Sequence, residues 1–516
     1  MTAPLAPAEE RPADERTLSM NAPVKLSQAA LPHLPSHVGR PRYDRAALRA
    51  GIVHVGVGNF HRAHQGWHLH RLMQQGLAQD WAVIGAGVRP QDEAMRARLS
   101  AQDWLTTLIE LRPEGPAAEV IGPMIGFAPP AEDSAPLIAA MSDPAIRIVS
   151  LTVTEGGYFV DPAGGFDAAH PDIRRDAADP ARPRTVFGAI VAAMARRRAQ
   201  GVAPFTVMSC DNLQGNGAAA RRAVTGLARM SDPALADWIE GEGAFPNSMV
   251  DCIVPATGPD ELALARRLGV EDAAPVTHEN YRQWVIEDRF CAGRPELERV
   301  GVIFSDAVHD YELLKIRVLN AGHQVLANAG ELLGLATIAD CMAHPLIGAM
   351  FRRVEMEEIC PHAPDVPGTS AQDYARLIER RFANPAIRDS TRRVAHDGAS
   401  RHPAFVLPIL REALAAGAPV EGLSLVEALW ARMCAGVRED GSAIAPNDPI
   451  WDRLQTAAQA ARERPAAWLE QRRIYGDLAE APRFAEAFAR WLDLIWARGT
   501  AEALRIHAQQ GAAPAA

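Results

Sequence analysis

The sequence predicts an α/β protein in which an N-terminal, doubly wound parallel sheet is followed by a mostly α-helical C-terminal domain. Three observations predict it. From about residue 50 to 210, short apolar runs alternate with helical patterns, as parallel strands covered by helices require. The first of these runs ends in a Gly-x-Gly turn, Gly56-Val57-Gly58, just before a helical pattern. Beyond about residue 310 the strand-like runs stop and helical periodicity takes over.

Residues 1–40 are expected to be a disordered or extended segment. The opening MTAPLAPAEERPADERTLSM has no apolar core and carries acids where a signal peptide is basic, and Met20 is an alternative start. Residues 41–300 are expected to form the sheet domain, of Rossmann type, with strands at 51–57, 81–88, 146–153 and 204–209. Helical patterns lie between them at 65–76, 91–101 and 184–198. After a linker near 285–310, residues 301–516 are expected to be helical, over 312–335, 372–381, 403–416, 424–436 and 481–498. No internal repeat is evident.

The 516 residues, 48% hydrophobic and 22% charged, describe a globular chain long enough for two or three domains. A net charge of −10 argues against nucleic acid as a partner. The one dense basic run, Arg196-Arg197-Arg198, is read as the solvated end of a helix. Six cysteines without short paired spacing fit free thiols in a reducing compartment. No stretch reaches the apolar length of a membrane span, so the expected location is cytoplasmic.

The stretch GIVHVGVGNFHRAHQGWHLH, residues 51–70, holds five histidines beside its glycine pair. Two readings compete. His61, His64 and His68 are spaced i, i+3, i+7, feasible for metal ligands on a helix, but no acidic partner of zinc-site type accompanies them. In a strand–glycine turn–helix unit, Gly56 permits the tight turn and Gly58 lets the backbone approach a dinucleotide pyrophosphate at a helix N-terminus. His61 stands where the third glycine of the usual fingerprint would be. The expectation is no metal and a cofactor loop formed by Val55, Gly56, Val57, Gly58, Asn59, Phe60, His61 and Arg62. Past the second strand, Asp92 is placed to accept from adenosine ribose hydroxyls, which would favour NAD over NADP. Arg89 argues the other way, and Asp92 is also well placed merely to cap the helical pattern at 93–99.

Of 53 basic side chains only Lys25 and Lys315 are lysines. With Lys25 assigned to the N-terminal segment, Lys315 is expected to be the only lysine of the folded body. Arginine stays protonated, so Lys315 is the one amine able to exchange a proton. It stands in YELLKIRVLNAGHQ with Asn320 and His323. On a continuous helix residues 315 and 323 would differ by about 80° and lie roughly 12 Å apart along the axis. An amine, an amide and an imidazole about one cavity suit hydride transfer between an alcohol and a carbonyl, with the amine taking the hydroxyl proton. The Tyr311-x3-Lys315 spacing also matches short-chain dehydrogenases, but it lies some 250 residues past the glycine turn and lacks the upstream serine. Three other polar clusters stand out: TVTEGGY at 152–158 and SCDNLQGNG at 209–217, each after an apolar run, and FPNSMVDCIVP at 245–255.

Taken together, GVGNFHRAHQ, TVTEGGY, SCDNLQGNG, FPNSMVD and K-x4-N-x2-H resemble the polyol-specific long-chain dehydrogenases, the mannitol dehydrogenase family, over about residues 27–510. The resemblance implies metal-independent, NAD-linked interconversion of a polyol and a ketose, D-mannitol with D-fructose foremost and D-arabinitol or D-glucitol as further substrates. It also implies a monomer or homodimer. It makes Lys315 the general acid/base, gives Asn212 and Asn320 the polarisation of the substrate oxygen, and maps the motif histidine to His323. Glu312 is implied in proton exchange with solvent, and Asp251, Arg393 and Arg401 in substrate contacts. One departure is Cys252, where the family usually has arginine after the aspartate. The alternative within the family is a hexuronate reductase of the fructuronate type, against which Gly156 argues, because those relatives often carry lysine there. Outside enzymes, the alternative is a non-catalytic NAD-sensing protein.

Overall fold

The structure, a computed structural model, describes residues 22–161 and 164–510. The expectation for the first twenty residues, Met20 as a start included, lies outside the described residues. The chain forms two compact units. The first comprises residues up to Leu111, Pro116–Trp284 and Asp288–Phe304. The second comprises Arg112–Gly115, Val285–Glu287 and Ser305 onward.

The strands run in chain order β1 (Val24–Lys25), β2 (Ala50–Val55), β3 (Ala82–Ala86), β4 (Thr106–Arg112), β5 (Gly115–Ile121), β6 (Met124–Ala128) and β7 (Ile148–Leu151). They continue as β8 (Thr206–Ser209), β9 (Ser248–Asp251), β10 (Val270–Glu271), β11 (Val276–Glu279), β12 (Gln283–Ile286) and β13 (Ile303–Phe304). The main sheet has five parallel strands in the order β6-β3-β2-β7-β8. Connections leave β2 in both directions, which opens a crevice between β2 and β7 at their C-terminal ends, the switch point where such sheets bind ligands. Val55 pairs with both Ala86 and Leu151, and Leu151 with Ser209, so four strand ends finish level.

β7 and β8 are buried at every residue, as strands packed on both faces must be. Val53, Val149 and Val207 of the sheet pack with Phe187, Ile190 and Val224 from the helices Val186–Ala199 and Asn216–Ser231. The basic run 196–198 does close a helix, but Arg197 turns inward, donating to the carbonyls of Met141, Asp143, Ile146 and Ala203.

Residues 22–40, expected to be disordered or extended, are an ordered part of the first unit. β1 pairs with β10, and Leu26, Leu31, Leu34 and Val38 are buried with Leu105, Val120 and Val270. Those four apolar residues, spaced three to five apart, are what ties the segment down. The expectation for Lys25 changes accordingly: it lies on β1, exposed, so Lys315 is not the only lysine of the folded body but its only buried one.

The second unit is helical, and its helices are interrupted by three π-turns, Lys315–Asn320, Glu355–Ile359 and His402–Val406. In each, the residue after the turn donates its N–H to the carbonyl five residues back. Behind the third turn, His402 lies 2.7 Å from Glu427, whose other oxygen accepts from Tyr475, and its ring stacks on Trp430 at 4.1 Å. This fully buried network fixes the turn that follows Arg401.

Candidate active site

The glycine turn between β2 and α1 (Asn59–Ala63) is held by histidine. Gly56 has φ +98°, and a Cβ there would stand 2.1 Å from the Thr152 carbonyl, so no other residue fits the crossing. Its carbonyl accepts from Gly58 N–H at 2.7 Å and Thr152 Oγ1 at 2.6 Å, with His54 Nε2 3.2 Å away. The other His54 nitrogen lies 2.8 Å from Ser150 Oγ, which donates to Gln65 on α2 (Gln65–Gln74). His61 stacks on His54 at 3.4 Å, 14° from parallel. Burial pushes His54 down to about 3 and His61 well below the ordinary histidine value, so both rings are neutral.

The remaining histidines of the stretch also have protein partners. His64 Nε2 is 3.0 Å from the Gln283 carbonyl, and His68 Nδ1 is 2.9 Å from the His64 carbonyl. Among the described residues, no group of three or more His, Cys, Asp or Glu side chains is arranged to hold a metal ion.

The side chains of Asn59 and Arg62 brace the turn from below. Asn59 donates to Pro255 O and Thr257 Oγ1 at 2.9 Å, and Arg62 donates to Gly58 O, Asn59 Oδ1 and Ala274 O. What these two leave for a cofactor is the loop backbone. A Cβ on Gly58 would meet nothing closer than 3.9 Å, so the turn is open just where a pyrophosphate would approach its N–H groups. The residues present fit a dinucleotide.

Beyond β3, Asp92 opens α3 (Asp92–Ser100), and its carboxylate folds back to accept the Arg89 N–H at 2.9 Å. A Cβ on Gly87 would lie 2.3 Å from that carboxylate. Asp92 therefore lies over the C-terminal end of β3, but it does not cap the helix as expected: it is the first helical residue, after Gln91, and its carboxylate takes the upstream Arg89 N–H instead of a helical one.

At the ends of β7 and β8 the key side chain is Asp211. Its carboxylate accepts from Val153 N–H, Thr154 N–H and the Tyr158 hydroxyl at 3.0, 2.9 and 2.6 Å. Thr154 has φ +68°, a strained setting for a β-branched residue, and Asp211 holds it there. The same residue fixes the backbone entering Asn212, which is exposed. Asn216 then stitches β8 to β9, donating to Asp211 O and Ser248 O and accepting from Ser248 N–H. Asp251, at the end of β9, is buried.

In the second unit the π-turn revises the expected helix. Five residues along an α-helix leave two side chains about 140° apart. With the Ala321 N–H bonded to the Ile316 carbonyl instead, Lys315 and Asn320 stand one hydrogen-bonded turn apart on one face. The spacing K-x4-N is thus a π spacing. Lys315 and Glu312 are buried, and Glu312 Oε2 is 3.7 Å from His309 Nδ1. His323 stacks on Phe382 at 4.2 Å, and burial pushes it down to about 3, leaving a neutral ring.

Arg393 and Arg401 lie close to His323. Asp389 accepts from Arg393 Nε at 2.6 Å and Nη2 at 2.5 Å, and its Oδ2 is 3.9 Å from His323 Nε2. Arg401 donates to the Val394 carbonyl at 2.8 Å. Burial first, and repulsion by Arg393 second, lower its pKa from the ordinary arginine value. Sequence reasoning passed over His54, Asp211, Asn216 and Asp389. His54 and Asp211 were discoverable as polar residues inside or just after apolar strands, whereas Asp389 differs in no visible way from any surface aspartate.

Family models cover most of the chain. Residues 50–299 match the mannitol dehydrogenase Rossmann domain and residues 307–496 the mannitol dehydrogenase C-terminal domain. The mannitol 2-dehydrogenase of Cereibacter sphaeroides is 56% identical over 91% of this chain and 98% of its own length. That of Phaeosphaeria nodorum is 41% identical, over 92% and 84%. Among solved structures, the Pseudomonas fluorescens mannitol 2-dehydrogenase in ternary complex with NAD and D-mannitol aligns with a TM-score of 0.83 at 39% identity, covering 94% of this chain and all of its own. A substrate-free D-sorbitol dehydrogenase aligns with a TM-score of 0.87 at 33% identity, covering 93% of this chain and 100% of its own.

Proposed function

This chain belongs to the mannitol dehydrogenase family, and from that premise we infer that it oxidises a polyol to a ketose with NAD, D-mannitol to D-fructose foremost, using Lys315 as general acid/base. The observation that carries the reading is the π-turn, which puts the only buried lysine on one face with Asn320, three residues before His323. Held by the backbone of the glycine turn, NAD supplies the hydride acceptor.

The chain's own residues manage the proton and the oxygen. Withdrawal from water disfavours an ammonium, so the Lys315 amine is suited to take the hydroxyl proton as the carbonyl forms. The Asn320 amide donates to the developing oxyanion and stabilises the charge that collects on that oxygen. The neutral His323 ring, fixed by its stack on Phe382, orients the same oxygen without adding a positive charge. Glu312, one turn before Lys315, passes the proton onward, as the family resemblance implies. By the family resemblance, Asn212 is a second donor to the substrate oxygen, and Asp251, Arg393 and Arg401 contact its distal hydroxyls. The six cysteines are all free thiols, as a cytoplasmic enzyme's would be.

A steady-state panel of D-mannitol, D-arabinitol, D-glucitol and D-mannonate with NAD and NADP tests the reading. Mannitol oxidation with NAD should be the most efficient and should rise with pH through one ionisation. Lys315→Ala should lose about two to four orders of magnitude in kcat while still binding NADH. Near-normal turnover by that variant would remove Lys315 from its role. Wild-type protein that binds NAD but turns over none of the four would instead be a sensor.

A further inference from the structure

Around His323 the second unit gathers three guanidinium groups, those of Arg381, Arg393 and Arg401, each near enough to oppose protonation of the ring. Asp389 is the carboxylate placed among them, and Asp397 acts on Arg401 alone. The pairing of Asp389 with Arg393 is specific in form. Both carboxylate oxygens are used, against Nε and Nη2, the side-on one of the edges by which a guanidinium binds a carboxylate in bidentate fashion, and the acid neutralises the charge that would draw a second one. The pair is also asymmetric. The Asp389 side chain is 5% exposed and the Arg393 side chain 59%, so the acid is fixed from inside and the arginine reaches outward.

A sugar acid and a polyol of equal length differ in one terminal group, CO2⁻ against CH2OH. An unpaired arginine at a sugar site distinguishes them strongly in favour of the acid. An arginine whose bidentate edge is occupied and whose charge is neutralised does not, yet it keeps N–H groups for hydroxyls. Discrimination of this kind comes from withholding a partner from the wrong ligand as much as from providing one for the right ligand.

We propose that Asp389 sets the substrate charge preference of this enzyme: by neutralising Arg393 and holding its side-on edge it disfavours hexonates and admits neutral polyols. It is a positioning residue, acting through Arg393, and the inference rests on reading the chain as a polyol dehydrogenase.

The test compares D-mannitol and D-mannonate in wild type and in Asp389→Asn, which keeps the side chain's shape and removes its charge. The ratio of kcat/KM for mannonate over mannitol should rise about tenfold or more, chiefly through KM. The gain should weaken with added salt, and it should vanish in the double variant Asp389→Asn/Arg393→Gln. Asp389→Ser carries the same expectation should the asparagine variant not purify folded. A wild type that prefers mannitol, with the ratio unchanged in the variants, overturns this inference and leaves the function standing. A ratio that rises but survives the double variant also overturns it, because Arg393 is then not the group released. A wild type that already prefers mannonate overturns both.

Discussion

Lowering the pH from 7 to 5 should destabilise the first unit by an amount the buried histidines set. His54, His61 and His68 are each held below the ordinary histidine value, chiefly by burial. A folded-state value near 3, as for His54, against about 6.5 in the unfolded chain means that the unfolded state binds more protons throughout that window. Stability is therefore full above about pH 6.5 and is lost as the pH falls toward 3. Between pH 7 and 5 His54 alone costs about 2 kcal/mol, and His61 and His68 act in the same direction. That single ring is already a sizeable part of the 5–15 kcal/mol by which a domain is usually stable. Scanning calorimetry at pH 7 and pH 5, at equal ionic strength, should show a large fall in Tm with proton uptake on unfolding. His54→Gln should recover about 2 kcal/mol of the difference, because that ring no longer titrates. A Tm unchanged between the two pH values, or imidazole resonances of His54 and His61 that titrate near 6.5, would show that the reasoning is wrong.

Exhaustive chelation should leave mannitol oxidation unchanged, since one ring nitrogen each of His64 and His68 already faces a backbone carbonyl and no metal-holding cluster is found among the described residues; stoichiometric zinc lost together with activity would refute this. Asp92→Ala should narrow the preference for NAD over NADP by removing the carboxylate at the end of β3, measured as the ratio of kcat/KM for the two cofactors. Asp211→Asn should destabilise the fold by about 1–3 kcal/mol in denaturant unfolding, since one of the three donors to that carboxylate loses its acceptor. It should also slow turnover by shifting Asn212, and unchanged kinetics in a destabilised variant would separate Asp211 from the site.

The architecture was legible where side-chain pattern decides the structure. The apolar runs at β2, β3, β7 and β8, and the glycine pair after β2, are residues whose burial or backbone conformation permits little else. β1, β10 and β13 were not legible, because two residues carry no period. The segment 22–40 was misjudged because its composition resembles a tail, whereas its four buried apolar residues are recognised only by the surface they meet. Lys315, Asn320 and His323 could be chosen from the sequence by residue chemistry, but their relative orientation could not. A π-turn depends on one hydrogen bond skipping one residue, and the residues KIRVLN would also fit an unbroken α-helix. Asp389 was hidden for a related reason: a carboxylate at i relative to an arginine at i+4 looks like a common surface pair until the burial of one partner is known.

The placement of the two lysines turns the enzyme into its own spectroscopic reporter. Reductive methylation with ¹³C-formaldehyde adds methyl groups only to primary amines and leaves their charge in place. In this chain those amines are Lys25, exposed on β1, Lys315, buried on the π-turn, and the N-terminus. A protein of 516 residues, far too large for routine side-chain assignment, would then show three dimethylamine resonances. If Lys315 has the proposed role, one of them would respond to substrate, and its chemical shift would follow the proton on that amine directly, without a rate measurement and without a mutation.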